Sequence, residues 1–387
     1  MTLIKALAKA VNKARNGPAR ILSRSATAAA GAGTVAVVTL MASFSGTAWA
    51  ATTDPATTAP PLAAGATTGF VHVCGTQVCL GNHPYVIRGA TAYGAYGQPS
   101  TEISLAKKGN VNTLELVEFD AQYHQLSDTM SSATWTRVDK FVAAAGKAGL
   151  HVILNLSEYG QSLQASGQTP TTADWKSYLS FIANRTNSVT GVQYKNDPTI
   201  AMVEIFGEIC SPGETDSTCP AGTSGTANEM QSFFHRTETE WHALAPNIMI
   251  STGGFSNLNN ATSSGIPWQK IVSDPADATC DIEINSADDV NYSIAKFTSY
   301  CKKIGKPWFL SAWSSCYQDS GYPYYLATDG DMAAHAKEMY GIQQGGSPAA
   351  MPAIGSDFWN LMDSGVTPGH CDLGPAYPQT WSAIQKA

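Results

Sequence analysis

Cys280-Asp281-Ile282-Glu283-Ile284-Asn285-Ser286 alternates apolar and polar side chains. Successive residues of a β-strand point to opposite faces, so this run has one isoleucine face and one acidic, amide-bearing face. Seven other short β-branched runs flank it: Val86–Tyr93, Val111–Phe119, His151–Ser157, Thr199–Glu208, Asn247–Gly253, Pro307–Trp313 and Ile354–Leu361. A candidate helix follows each. Trp135–Ala148 places Val138, Phe141, Val142 and Ala145 at the helical period, and Trp175–Ala183 and Met230–Leu244 read similarly. Strand–helix alternation repeated eight times predicts an α/β fold, a single-domain (β/α)8 TIM barrel. In it Ile282 and Ile284 meet the outer helices, while Asp281, Glu283 and Asn285 face the barrel mouth.

Upstream of the barrel the composition changes. Residues 1–50 carry six basic and no acidic residues, an apolar stretch from Ala26 to about Phe44, and the A-x-A pattern Ala48-Trp49-Ala50. This reads as a signal peptide rather than a membrane anchor, since the apolar run holds Gly, Ser and Thr and ends in a cleavage pattern. Residues 51–68 are low-complexity Thr, Ala and Pro, a linker with nothing to bury. The barrel domain is expected over 69–387. Without the signal, 17 basic residues face 30 acidic ones, a net charge of −13. That argues against nucleic acid and anionic membrane as partners and leaves a neutral polysaccharide unrepelled.

All eight cysteines follow the signal, and an even number in an exported chain suggests disulfides. Closeness along the chain suggests 74–79, 210–219 and 280–301, leaving 316–371. No C-x2-C pair and no HExxH occurs and the histidines are scattered, so no metal and no cofactor is expected.

Barrel enzymes carry their chemistry at the C-terminal ends of the strands. The second strand ends near Glu115 and Glu118. The third ends in Asn155 and Ser157, before Glu158 and Tyr159. The fourth ends in Gly207-Glu208. The seventh ends in Ser311-Ala312-Trp313-Ser314 and the eighth in Phe358-Trp359-Asn360. Glu208 at a strand tip reads as a site carboxylate rather than a solvated loop residue. Trp359 reads as a stacking platform for the apolar face of a sugar ring rather than simple core. Trp313 and Tyr96 are further aromatic candidates. Asp288 and Asp289 read as exposed loop residues.

Taken in order and spacing, these segments resemble the cellulase and mannanase type of family 5 glycoside hydrolases, from about residue 69 to 384. Val86-Ile87-Arg88-Gly89-Ala90, Gly149-Leu150-His151-Val152-Ile153-Leu154, Asp197-Pro198-Thr199-Ile200-Ala201, Ser251-Thr252-Gly253-Gly254-Phe255, Gly305-Lys306-Pro307-Trp308 and Phe358-Trp359-Asn360-Leu361 carry the resemblance. It implies double displacement by two glutamates, an acid/base on strand 4 and a nucleophile on strand 7, with carboxyls about 5–5.5 Å apart. Glu208 matches the acid/base position. The nucleophile position is Ala312. Glu115 stands where the family usually has an Arg that orients the nucleophile, and Glu283-Ile284-Asn285 stands where it usually has His-x-Tyr.

The signal implies a secreted protein and a monomer is expected; the resemblance implies that it binds β-1,4-linked polysaccharide or oligosaccharide with hydrolysis lost or much reduced, because a methyl group cannot form a glycosyl ester. Glu115, Asn155, Asn285, Trp313, Tyr96 and Trp359 are its expected substrate contacts. No membrane contact is expected once the signal is removed. Two other readings stand beside it. One is an active hydrolase with a rebuilt carboxylate pair, Glu208 with Glu283 or Glu115, inverting if the carboxyls lie about 6.5–9.5 Å apart. The other is a non-catalytic cell-surface scaffold.

Overall fold

The computed structural model describes residues 69–93, 98–117, 126–127, 129–209, 227–255, 258–263, 265–284, 290–318, 326–363, 365–366 and 371–387. The expected signal and linker lie outside the described residues. So do Tyr96, Glu118, Cys210, Cys219, Asn285, Asp288, Asp289 and Asp319.

Pro60–Ala387 forms one unit. Its first described elements are β1 (Val71–Cys74), β2 (Gln77–Leu80) and β3 (His83–Pro84), a small antiparallel sheet. Then come β4 (Ile87–Tyr93), β5 (Thr113–Val117), β6 (His151–Asn155), β7 (Ile200–Glu204), β8 (Glu208–Ile209), β9 (Met249–Ser251), β10 (Gly254–Phe255), β11 (Cys280–Ile284), β12 (Trp308–Ser314) and β13 (Gly355–Trp359). Every neighbouring pair in this larger sheet is parallel.

β7 and β8 are one stave of the barrel, and β9 and β10 the next. Ile205 N donates to Ser251 O and Phe206 N to Thr252 O, each at 3.1 Å, carrying the pairing across the gap between them. Because β9 pairs with β7 while β10 pairs with β11, the ladder runs right round the ring. Eight staves with helices between them make the expected (β/α)8 barrel.

Alternation along the strands sorts the side chains into shells. Leu114, Leu116, Val152, Leu154, Ile282 and Ile284 point outward, as expected for the isoleucines, into the core under the helices. The helix Ser132–Lys147 answers with Trp135, Val138, Phe141, Val142 and Ala145, all fully buried. Burying each large side chain stabilises the fold by about 1.5–3 kcal/mol. Inside the ring the base is apolar: Ile87, Ile153, Met202, Met249, Phe309 and Ile354 pack together. Val71 and Val78 of the small sheet cap this layer. The sequence reading did not find that sheet, whose strands are two to four residues long.

Disulfides 74–79 and 316–371 are formed as expected. The expected 280–301 bridge is not. Both thiols are free and buried, Cys280 on β11 and Cys301 on the helix Val290–Ile304, so proximity in sequence did not decide that pair. No helix of the described residues is long and apolar enough to cross a membrane.

Candidate active site

Register partners in a parallel sheet share a face, so the barrel's inner surface can be read strand by strand. Glu115 is level with Thr91 and Ile153, Glu204 with Asn155 and Ser251, Asp281 with Phe309, and Asp357 with Gly89. Above the apolar base the interior therefore turns acidic. Glu115, Glu204, Asp281, Glu283 and Asp357 are each at most 5% exposed.

Two glycines make room for them. Asp357 lies across Gly89, where any β-carbon would occupy the carboxyl's place. The Glu283 side chain and the Ser311 hydroxyl likewise fill the space beside Gly254.

Glu115 is held on both oxygens. Thr91 Oγ1 donates to Oε2 at 2.6 Å and Asn155 Nδ2 to Oε1 at 2.7 Å. Asn155 is fixed in turn by accepting from Ser157 N at 3.0 Å. Glu204 lies close enough for the charge of Glu115 to act on it. Burial raises the Glu115 carboxyl above its ordinary range, opposed by the hydrogen bonds from Thr91 and Asn155. Glu204 is pushed well up by burial and then by the charges of Glu115, Asp281 and Asp357. Asp357 is also well up, through burial, Glu115 and Asp281. Burial lifts Asp281 to about 6, with the nearby Ser251 and Thr279 hydroxyls drawing it partly back. Carboxyls raised in this way hold their protons to higher pH than free carboxyls do.

The tip of the seventh stave departs from simple alternation. Ile282 is level with Leu310, but Glu283 is level with Ala312 and Ile284 with Trp313. On the other side Ser356 is level with Leu310 and Phe358 with Trp313. β12 thus holds one extra residue at Ser311-Ala312, a β-bulge. The bulge keeps Ala312 on the inward face beside Glu283. It turns Trp313 outward, where the indole is fully buried against Tyr340, His335 and Phe358. The expectation that Trp313 contacts a sugar is corrected by this geometry: it is core. Trp359, level with Ser314 on the inner face, is half-buried and keeps part of its ring free of the core.

Glu208 pairs through its backbone with Gly254, on β10 next to β11. Its side chain lies outside the described residues. Sequence reasoning missed Glu204, four residues before Glu208 on the same stave. The only signal was the strand alternation Met202, Glu204, which places Glu204 inside. Among the described residues no group of His, Cys, Asp or Glu side chains is arranged to hold a metal ion.

Fold and site together define a (β/α)8 barrel with a carboxyl-lined interior. No family model matches the chain. An endo-1,4-beta-mannanase from Rhizomucor miehei superposes with a TM-score of 0.64 at 18% identity, covering 82% of this chain and 98% of the mannanase. A family 5 mannosidase from the same organism reaches 0.57 at 14% identity, over 83% and 98%. An endoglucanase catalytic domain from Thermobifida fusca, in complex with cellotetraose, gives 0.50 at 17%, over 81% and 97%. Mannan endo-1,4-beta-mannosidase 7 of Arabidopsis thaliana is 23% identical over 252 residues, 56% of this chain and 55% of that protein. The chain thus spans about half the length of the curated relative it matches.

Proposed function

We propose that this protein is a secreted, monomeric member of the family 5 glycoside hydrolases that binds β-1,4-glycan of the mannan or cellulose type and cleaves it slowly or not at all. The observation carrying the reading is Ala312. Its register level with Glu283 supports the reading, and by the sequence resemblance it occupies the position where the family's mechanism has its attacking carboxylate. A methyl group offers no lone pair to the anomeric carbon, so the covalent route is closed. In this reading Glu208 keeps the acid/base position, Trp359 stacks on a sugar ring, and Glu115, Asn155, Asn285 and Tyr96 supply further contacts.

Glu283 favours a second reading. Its side chain crosses Gly254 on the inner face, beside the vacated place, so it is the replacement carboxylate if water is activated directly. That route inverts the anomeric configuration.

The test is calorimetry and product analysis of the purified protein with manno- and cello-oligosaccharides. The proposal expects binding without released sugars. Products of inverted configuration would favour the Glu283 route. Absence of binding to every β-glycan tried would leave a scaffold and overturn both.

A further inference from the structure

The base of the barrel carries a cleft of its own, at the opposite end of the strands from the candidate site. A cavity of about 620 Å3 opens there, between the small antiparallel sheet and the loops that lead into β9, β11 and β12. That volume falls within the range of about 300–1,000 Å3 usual for small-molecule sites. Met249, which lines it, belongs to the apolar layer closing the ring. Phe70, Pro246 and Pro275 add apolar walls, and His72, His242 and Asn247 add polar ones. Val71 is buried in the base layer, which anchors β1 and places its neighbours Phe70 and His72 at the cleft. His72 Nδ1 lies 3.2 Å from Phe70 O and His242 Nε2 lies 2.8 Å from Ala276 O. The backbone thus orients each ring and leaves its second nitrogen for a ligand. Asn247 is exposed, and its amide can both donate and accept.

The charged groups of the lining already have partners. Lys306 Nζ donates to Val272 O at 2.7 Å and to Asp274 O at 3.0 Å, and pairs with Asp277 Oδ2 at 3.1 Å, which occupies its three protons. Asp274 Oδ1 accepts from Ala276 N at 3.0 Å, and its Oδ2 lies 2.7 Å from His235 Nδ1. A charged ligand would have to break these pairs to meet the opposite sign, and breaking a buried pair is costly. A neutral ligand with hydroxyls for the imidazoles and amide, and an apolar CH face for Phe70 and the prolines, needs no such break.

We propose that this cleft is a second site for a neutral oligosaccharide, separate from the mouth. The choice of β-1,4-glycan as its ligand rests on the glycan-binding reading above. One sugar face lies on Phe70 or the prolines, and hydroxyls bond to His72, His242 and Asn247. None of these residues belongs to the mouth, so both ends of the barrel can be filled at once. On a long polymer the two sites act together, because binding at one raises the local concentration of glycan at the other wherever the chain can reach both.

Calorimetry and proton NMR of the histidine rings, with mannotetraose and cellotetraose added to the purified protein, test this. Spectra of His72→Gln and His242→Gln identify the two ring signals. At least one tetraose should bind at two sites per chain and move the His72 and His242 signals saturably. Asn247→Trp, which puts an indole in the cleft, should weaken the second site at least about tenfold and abolish those shifts while the other site still binds. Ser273→Trp, on another loop of the lining, serves if the melting temperature shows the first variant unfolded. Binding at one site without the histidine shifts, or shifts that persist in the folded tryptophan variant, would overturn the base site and leave the glycan reading standing. Binding at one site with the shifts would uphold the base site and overturn the reading of the mouth. Failure of both tetraoses to bind would overturn both.

Discussion

Two buried carboxylate centres in this barrel are built on opposite plans. Asp139, fully buried on the helix Ser132–Lys147, accepts from Arg185 Nε at 2.8 Å and Nη2 at 2.7 Å, from Tyr194 Oη at 2.8 Å and from Ser188 N at 3.0 Å. Burial pushes its carboxyl up, but Arg185 and the other donors outweigh burial and hold it below the ordinary range. Inside the barrel, Glu115, Glu204, Asp281 and Asp357 make no ion pair among the described residues and are all held above that range. The first centre is complete within the chain and fastens the segment around Arg185–Tyr194 to the helix. The second is not complete, and incomplete compensation of buried charge is what a binding or reacting site tends to show.

Substitution separates the two most strongly. Asp139→Ala should lower stability by about 3–5 kcal/mol, because it strands Arg185 and the Tyr194 hydroxyl. Glu204→Gln should stay within about 1 kcal/mol of the parent, and above neutral pH it should stabilise, since it removes a carboxyl that resists ionisation. Urea denaturation of both variants measures this. A loss at Glu204→Gln as large as that at Asp139→Ala would erase the distinction.

Their pH dependences should have opposite signs. A folded-state pKa below the unfolded value gives stability that is present above about pH 4 and lost as pH falls, which is the contribution of Asp139. A folded-state pKa above the unfolded value gives stability that is full at low pH and falls as pH rises. For Asp281 that window runs from about pH 4, the unfolded value, to about 6. Asp281→Asn should flatten the decline between those limits in thermal melts, whereas Asp139→Asn should flatten the acid limb. An unchanged slope from pH 4 to 6 in Asp281→Asn would contradict the assignment.

The smallest expected effect belongs to Trp359. Replacing it by Ala should weaken glycan binding by about 0.5–1.5 kcal/mol, roughly two- to twelvefold, with little change in the melting temperature because the ring is only half-buried. A large loss of stability with unchanged affinity would make Trp359 core, like Trp313.

Much of this was legible in the chain itself. The eight staves could be read because each has a β-branched run and the helices between them keep their period. Asp281 and Glu283 could be placed inside because Ile282 and Ile284 mark the outer face. Trp313 was misread because alternation from Phe309 carries it inward, and the bulge at Ser311-Ala312 leaves no signature in residue type. Glu204 was overlooked because Glu208 ends the same stave and drew the acid/base assignment. The cap of the barrel base, β1–β3, is too short to show a period and holds His72, His83 and Pro84 among its valines. The Cys280–Cys301 pair shows the limit of spacing, which brings residues near one another without setting whether they bond.

The central claim is that an inward-facing methyl stands where an attacking carboxylate belongs. It is tested most directly by hydrolysis assays of the parent and of Ala312→Glu on a panel of mannan and cellulose oligosaccharides. The account predicts turnover near background in the parent and a rise of about 10^3-fold or more in the variant on a bound glycan, with retained anomeric configuration. Substantial turnover by the parent, unchanged by the substitution, would contradict it.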